Sequence, residues 1–163
     1  MANITQKITP FFWFDNNAEE AANFYTSVFQ NSSINGKSYY GEGGPGPKGS
    51  VMVVAFSLNG QQFTALNGGP IFKFNESVSF VVNCDGQDEV DYYWDNLLKD
   101  GGQESQCGWL KDKFGLSWQI VPVKMIELLT DKDEAKRNRV MQAMMKMIKL
   151  DLPTLEKAAE DQV

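Results

Sequence analysis

Two thiols, Cys84 and Cys107, and the carboxylates of Asp15, Asp85 and Asp112 are the side chains whose type and setting could do chemistry in a chain with no histidine. The missing imidazole excludes Ser-His-Asp and Cys-His machinery, and metal sites built on His, in their usual forms. Cys107 could act as a nucleophile if Lys111 or Lys113 lowered its pKa. The alternative, for it and for Cys84 at a strand end, is an inert thiol packed as a small apolar group. Acid/base work by paired carboxylates needs two acids that converge, whereas Asp15, Asp85 and Asp112 fall at strand ends or turns, where Asx-turn and capping roles account for them. The segment GEGGPGPKG at residues 41–49 formally matches the G-x-G-x-x-G pattern. That pattern holds a pyrophosphate only when a helix follows, and here a strand follows, so the segment reads as a mobile hairpin loop or pocket lid.

The elements that must position these groups follow from periodicity. Residues 8–14 are aromatic on both faces, as expected of a strand covered by a helix on one side and a core or cavity on the other. Asn17 with Glu20 fits a capping box, and Ala18, Ala21, Ala22, Tyr25, Val28 and Phe29 then share one helical face. Residues 34–40, 51–58 and 61–67 read as strands, the last two joined by the hairpin signal Asn59-Gly60, and 67–75 as a loop. The pattern then begins again. A strand is expected over 77–83, a turn at Asp85-Gly86, a helical stripe of Val90, Tyr93, Trp94, Leu97 and Leu98, and strands over 103–112 and 116–121. A shift of 69 residues lays Glu20 on Glu89, Tyr25 on Trp94 and Phe29 on Leu98, an internal repeat. After Pro122 the chain turns helical, with Thr130 or Asp131 as a cap and a methionine-rich face through Ala135, Val140, Ala143, Met144, Met147 and Ile148, then a short helix at Pro153. That face is either adaptable core packing or a dimer surface.

The 163 residues, 42% hydrophobic and 22% charged, suit one globular domain, and a net charge of −6 argues against a nucleic-acid partner. The basic stretch at 132–139 is interrupted by Asp133 and Glu134 and reads as a solvated helix face. Neither a signal peptide nor a membrane span is apparent, and two cysteines are too few for a disulfide framework, so the expected location is cytoplasmic.

Three stretches carry a family resemblance: ITPFFWFD at 8–15, AEEAANFY at 18–25 and CGWLKDKFGLSWQIVP at 107–122. Together they resemble the glyoxalase/bleomycin-resistance/extradiol-dioxygenase superfamily with the vicinal oxygen chelate fold. Within it, the likeness is to the PhnB-like branch labelled 3-demethylubiquinone-9 3-methyltransferase domain, and it runs from about Ile4 to Ala159. It implies an α+β (mixed α/β) chain forming a single domain over 1–163: two βαβββ modules, about 4–70 and 76–122, in an incomplete barrel around a cleft, then C-terminal helices over about 123–161, usually in a homodimer.

Metal-using members of the superfamily hold their ion with His or Gln on the first strand of each module and Glu near its last. Carried onto this chain, those positions are Ile8, Thr64, Ser77 and Gln119, a set without carboxylate, imidazole or thiolate, so no metal and no cofactor are expected. Strand alternation around them selects Phe12, Ser79 and Val81 as pocket-facing, with Cys107, Trp109 and Phe56 added. Gln119, Ser77 and Thr64 would orient a ligand by hydrogen bonds while Phe12 and Trp109 supply stacking surface. The expected function is metal-free binding of a small apolar or aromatic molecule. The alternative is an enzyme of uncharacterised reaction, including the methyl transfer the branch is named for, although no Gly-rich loop joins a parallel strand to a helix here.

Overall fold

The computed structural model describes residues 6–160; the expected starts at Ile4 and the helical end at residue 161 lie outside them. Contacts divide the chain into two compact units, with the boundary between Phe74 and Asn75. Each repeats strand, helix, three strands.

In the first unit β1 (Phe11–Phe14) leads into α1 (Ala18–Val28), followed by β2 (Ser33–Tyr39), β3 (Val51–Leu58) and β4 (Gln61–Asn67). Asn59 and Gly60 both take positive φ, 47° and 82°, the backbone of a tight hairpin that sets Leu58 opposite Gln61. β1 pairs parallel to β4, giving the order β1-β4-β3-β2. One face of this sheet is closed by α1, whose Ala18, Ala21, Ala22, Tyr25 and Val28 are buried. Tyr25 stacks on Phe56 with centroids 6.3 Å apart, and Phe56 on Phe63 at 5.5 Å. Phe12 and Phe14 point to that same buried side. The helix is not capped as the sequence suggests: the Asn17 side chain makes no cap bond. Instead Asn67 Oδ1, from the end of β4, accepts the Ala18 N–H at 2.8 Å, because parallel pairing of Asn67 with Phe14 brings that strand end beside the start of α1.

In the second unit β5 (Ser79–Cys84), α2 (Gln87–Leu97), β6 (Gln103–Glu104), β7 (Trp109–Lys111) and β8 (Ser117–Pro122) form a sheet of order β5-β8-β7-β6, again with the outer pair parallel. Val90, Trp94 and Leu97 of α2 are buried. The single strand expected over 103–112 is broken. Cys107 and Gly108 take positive φ, 56° and 82°, and turn their amides out of the ladder onto Met147 O and Ile148 O. Three helices follow: α3 (Val123–Leu129), α4 (Glu134–Met144) and α5 (Leu152–Glu160). Asp133, not Thr130 or Asp131, caps α4, accepting from Ala135 and Lys136. The methionine-rich stripe splits: Val140 is buried with Met144 and Met147 packed beside it, while Met141, Met145 and Ile148 are exposed. Among the described residues no helix is long and apolar enough to cross a membrane.

Candidate functional site

The register of the second sheet sorts its side chains. Val81, Gln119 and Trp109 are cross-strand neighbours in one row, and Ser79, Ser117 and Lys111 in the next. Cross-strand neighbours share a face, and so do residues two apart on a strand. These residues therefore stand on one side of the sheet, while Leu110, Trp118 and Ile120 are buried on the other. Gln119 Nε2 donates to Ser79 Oγ at 2.9 Å, which fixes the amide's orientation. Val81, beside it, is 48% exposed. The turn before β8 sets this register. Asp112 Oδ1 accepts the Phe114 and Leu116 amides at 2.8 and 3.1 Å, and Oδ2 accepts Trp118 Nε1 at 2.9 Å. Asp112 is thus an Asx-turn residue, only 3% exposed, rather than half of a catalytic pair.

Four expected site residues, Ser79, Val81, Trp109 and Gln119, thus lie on one sheet face. Cys107 lies just before the start of β7, where its Sγ contacts Met144 O at 3.6 Å and Met145 Sδ at 3.9 Å. Ser77 precedes β5, exposed and bonded to Asn75 Oδ1. Ile8 precedes β1 and is exposed. Thr64 lies opposite Phe11, not Phe12, which is paired with Ala65. Phe12 and Phe56 are buried on the helix-covered face, Phe12 among Phe14, Phe63 and Phe74, so they do not share a face with Thr64.

The reason is one residue of loop. The two helix starts, Ala18 and Gln87, are 69 residues apart, but the two strand ends, Phe14 and Cys84, are 70 apart. Asp15, Asn16 and Asn17 join strand to helix in the first unit, and only Asp85 and Gly86 do so in the second. Carrying the helix offset into the strands slips them by one residue, and a slip of one flips every side chain. Val81 corresponds to Phe11, which is 58% exposed, and Ala55 stands across from Thr64 as Trp109 does from Gln119. Phe11 is the residue the sequence reading missed; comparing the two loop lengths would have found it.

The expected ligand positions offer few donors to a metal. Ile8 offers nothing, Ser77 is bonded to its own loop, and Gln119 is committed to Ser79. Among the described residues no group of three or more Cys, Asp and Glu could hold an ion. The residues present do not fit the ion of metal-using superfamily members. Cys84 is buried, and burial, ahead of the nearby Glu89 carboxylate, pushes its thiol pKa up to about 12. It is protonated and unreactive at neutral pH. The glycine-rich loop walls a larger cavity of about 560 Å³ with Asp15, Tyr40 and Asn67. No helix follows it. A Cβ on Gly46 would lie 2.4 Å from the Tyr40 ring, so the glycine serves loop packing. Tyr40 Oη in turn donates to Asn67 O at 2.5 Å.

Paired βαβββ units, each with its first strand parallel to its last, place the chain in the glyoxalase/bleomycin-resistance fold class. More narrowly, the chain belongs to the 3-demethylubiquinone-9 3-methyltransferase family, whose sequence model matches residues 6–121. The PhnB protein from Bacillus cereus is 39% identical over 72% of this chain and 100% of its own, with a TM-score of 0.66. Protein PA1353 from Pseudomonas aeruginosa (20% identity, 71% and 96% coverage, TM-score 0.58) shares the fold. So does the fosfomycin resistance protein FosX from Listeria monocytogenes, solved with Mn(II) and sulfate (12% identity, 73% and 90% coverage, TM-score 0.51). Among curated proteins none matches the chain.

Proposed function

We propose that this chain binds a small, largely apolar or aromatic molecule, without a divalent metal ion, on the face formed by Ser79, Val81, Trp109 and Gln119. The observation that carries the reading is that face itself: an exposed Val81 and a partly exposed Trp109 flank a Gln119 amide held by Ser79. Apolar surface with a few fixed polar groups suits a neutral ring better than proton transfer. In the first unit Thr64 and Phe11 offer a similar pair. Homodimerisation, with the exposed Met141, Met145 and Ile148 as its surface, and a cytoplasmic location for two free cysteines belong to the same reading. The family's name favours methyl transfer as a second reading. Against it, the described residues put no Gly-rich loop between a parallel strand and a helix: Asp15-Asn16-Asn17 and Asp85-Gly86 fill those connections.

The test is a ¹⁵N NMR titration with a water-soluble benzoquinone, an aromatic antibiotic, a thioether metabolite and S-adenosylmethionine. Shifts centred on Val81, the Trp109 indole and the Gln119 side-chain amide are expected for at least one of the first three. Saturable binding of S-adenosylmethionine alone would favour the methyltransferase instead, and no response to any of the four would remove the ligand-binding reading.

A further inference from the structure

Ser117 is a buried hydroxyl without an evident purpose. It is 1% exposed, and its Oγ has no hydrogen-bond partner among the described residues. Buried polar atoms ordinarily have one, so an orphan calls for an explanation. Ser117 lines a cavity of about 180 Å³ together with Glu76, Gln103, Glu104, Trp109 and Lys111, and the Glu104 carboxylate accepts the Trp94 indole N–H at 3.2 Å. Its strand neighbours Ser79 and Lys111 sit one row from Val81, Gln119 and Trp109, so the cavity adjoins the face described above and shares Trp109 with it.

The charges there are unequally held. Lys111 belongs to β7 and its side chain is half-buried. Its partner Glu76 lies outside any strand, and its side chain is 63% exposed. Exposed ion pairs are weak because water competes for both charges. When this pair opens, Glu76 is the member free to leave. What stays, besides a Glu104 carboxylate engaged by the Trp94 indole, is an ammonium on a strand beside a hydroxyl with a proton to donate, and those two groups complement an oxyanion.

We infer that this cavity is a carboxylate subsite, in which Lys111 Nζ and the Ser117 hydroxyl take the acid end of an aromatic acid whose ring lies along Trp109 and Val81. The inference rests on the reading of that face as the ligand surface. Glu76 acts as the occupant the ligand displaces, so the empty subsite keeps Lys111 neutralised.

Titration of the ¹⁵N-labelled full chain with benzoate, benzyl alcohol and acetate tests it. Benzoate is expected to shift the Lys111 and Ser117 amides and the Trp109 indole, and to bind about tenfold more tightly than benzyl alcohol. Lys111→Gln should remove that advantage. Glu76→Gln should strengthen benzoate binding, since the competing carboxylate is gone, an effect a merely structural ion pair would not give. Ser117→Ala should weaken benzoate severalfold while melting no lower than the parent, because the deleted hydroxyl bonds to nothing. If benzoate binds no better than benzyl alcohol and Glu76→Gln changes nothing, the subsite is wrong while the ligand face stands. If neither aromatic moves Trp109, the ligand face fails and acetate decides the subsite. Acetate shifts at Lys111 and Ser117 that vanish in Lys111→Gln keep it as an anion site; their absence overturns it.

Discussion

Asp112 shows what a carboxylate does in this chain: it receives two amides and an indole N–H across a single turn, and nearly all of it is out of water. Asp112→Ala leaves three donors unpaired, two of them buried and one partly so, and the expected loss is about 3 kcal/mol of stability, read from urea unfolding. A loss under about 0.5 kcal/mol, the size of an ordinary surface change, would contradict the role. That role was legible in the sequence, because an acid two residues before Phe114 and near Gly115 is an Asx-turn pattern. Cys84 gives a second residue-scale prediction. Its pKa is raised from 9.0 to about 12 in the folded chain. Between those limits the unfolded chain has lost the proton and the folded chain keeps it, so stability is full below about pH 9 and falls as pH rises towards about 12. Tyr93, raised chiefly by burial, adds to the same slope. Cys84→Ala is expected to flatten the fall by about one proton in a pH series of urea melts; an unchanged slope would refute the assignment. Cys107 was harder to read: its setting depends on contacts with Met144 and Met145, far along the chain, that no local pattern encodes.

Among the elements, α1 and α2, the Asn59-Gly60 hairpin and the strand-helix-strand repeat were legible because each is written in local periodicity. Two features were not. The strand expected over 103–112 breaks at Cys107-Gly108, since Met147 O and Ile148 O capture those amides from the chain after α4. The first-strand face was inverted because the repeat's offset changes by one residue between strand and helix. Gly108 ties the break together: it has φ 82°, and a Cβ there would stand 2.8 Å from Ile120 O and from Leu150 Cδ1. Gly108→Ala is therefore expected to cost about 2–4 kcal/mol, from a positive φ and a clash with backbone together. Thermal unfolding with a near-parental midpoint would show that β7 and the α4–α5 segment are not held through this residue.

For the whole molecule, the family resemblance supplied the fold class from three stretches of sequence, and the two sheets with parallel outer strands agree with it. What the chain has done with that fold is visible only in its substitutions. Of the positions expected to correspond to metal ligands in other members, Ile8 is exposed to solvent, Ser77 is bonded to its own loop and Gln119 to a neighbouring serine, and the change of offset between helices and strands means that Ile8 and Ser77 are not equivalent. On the proposed reading, the face of Ser79, Val81, Trp109 and Gln119 recognises its ligand by apolar contact and hydrogen bonds, with no ion. Isothermal titration of the protein with a water-soluble benzoquinone, once in EDTA and once with added Mn²⁺, tests this most directly. Saturable binding in EDTA is expected, with a Kd that Mn²⁺ leaves unchanged; binding that appears only when the metal is supplied would refute metal-free recognition.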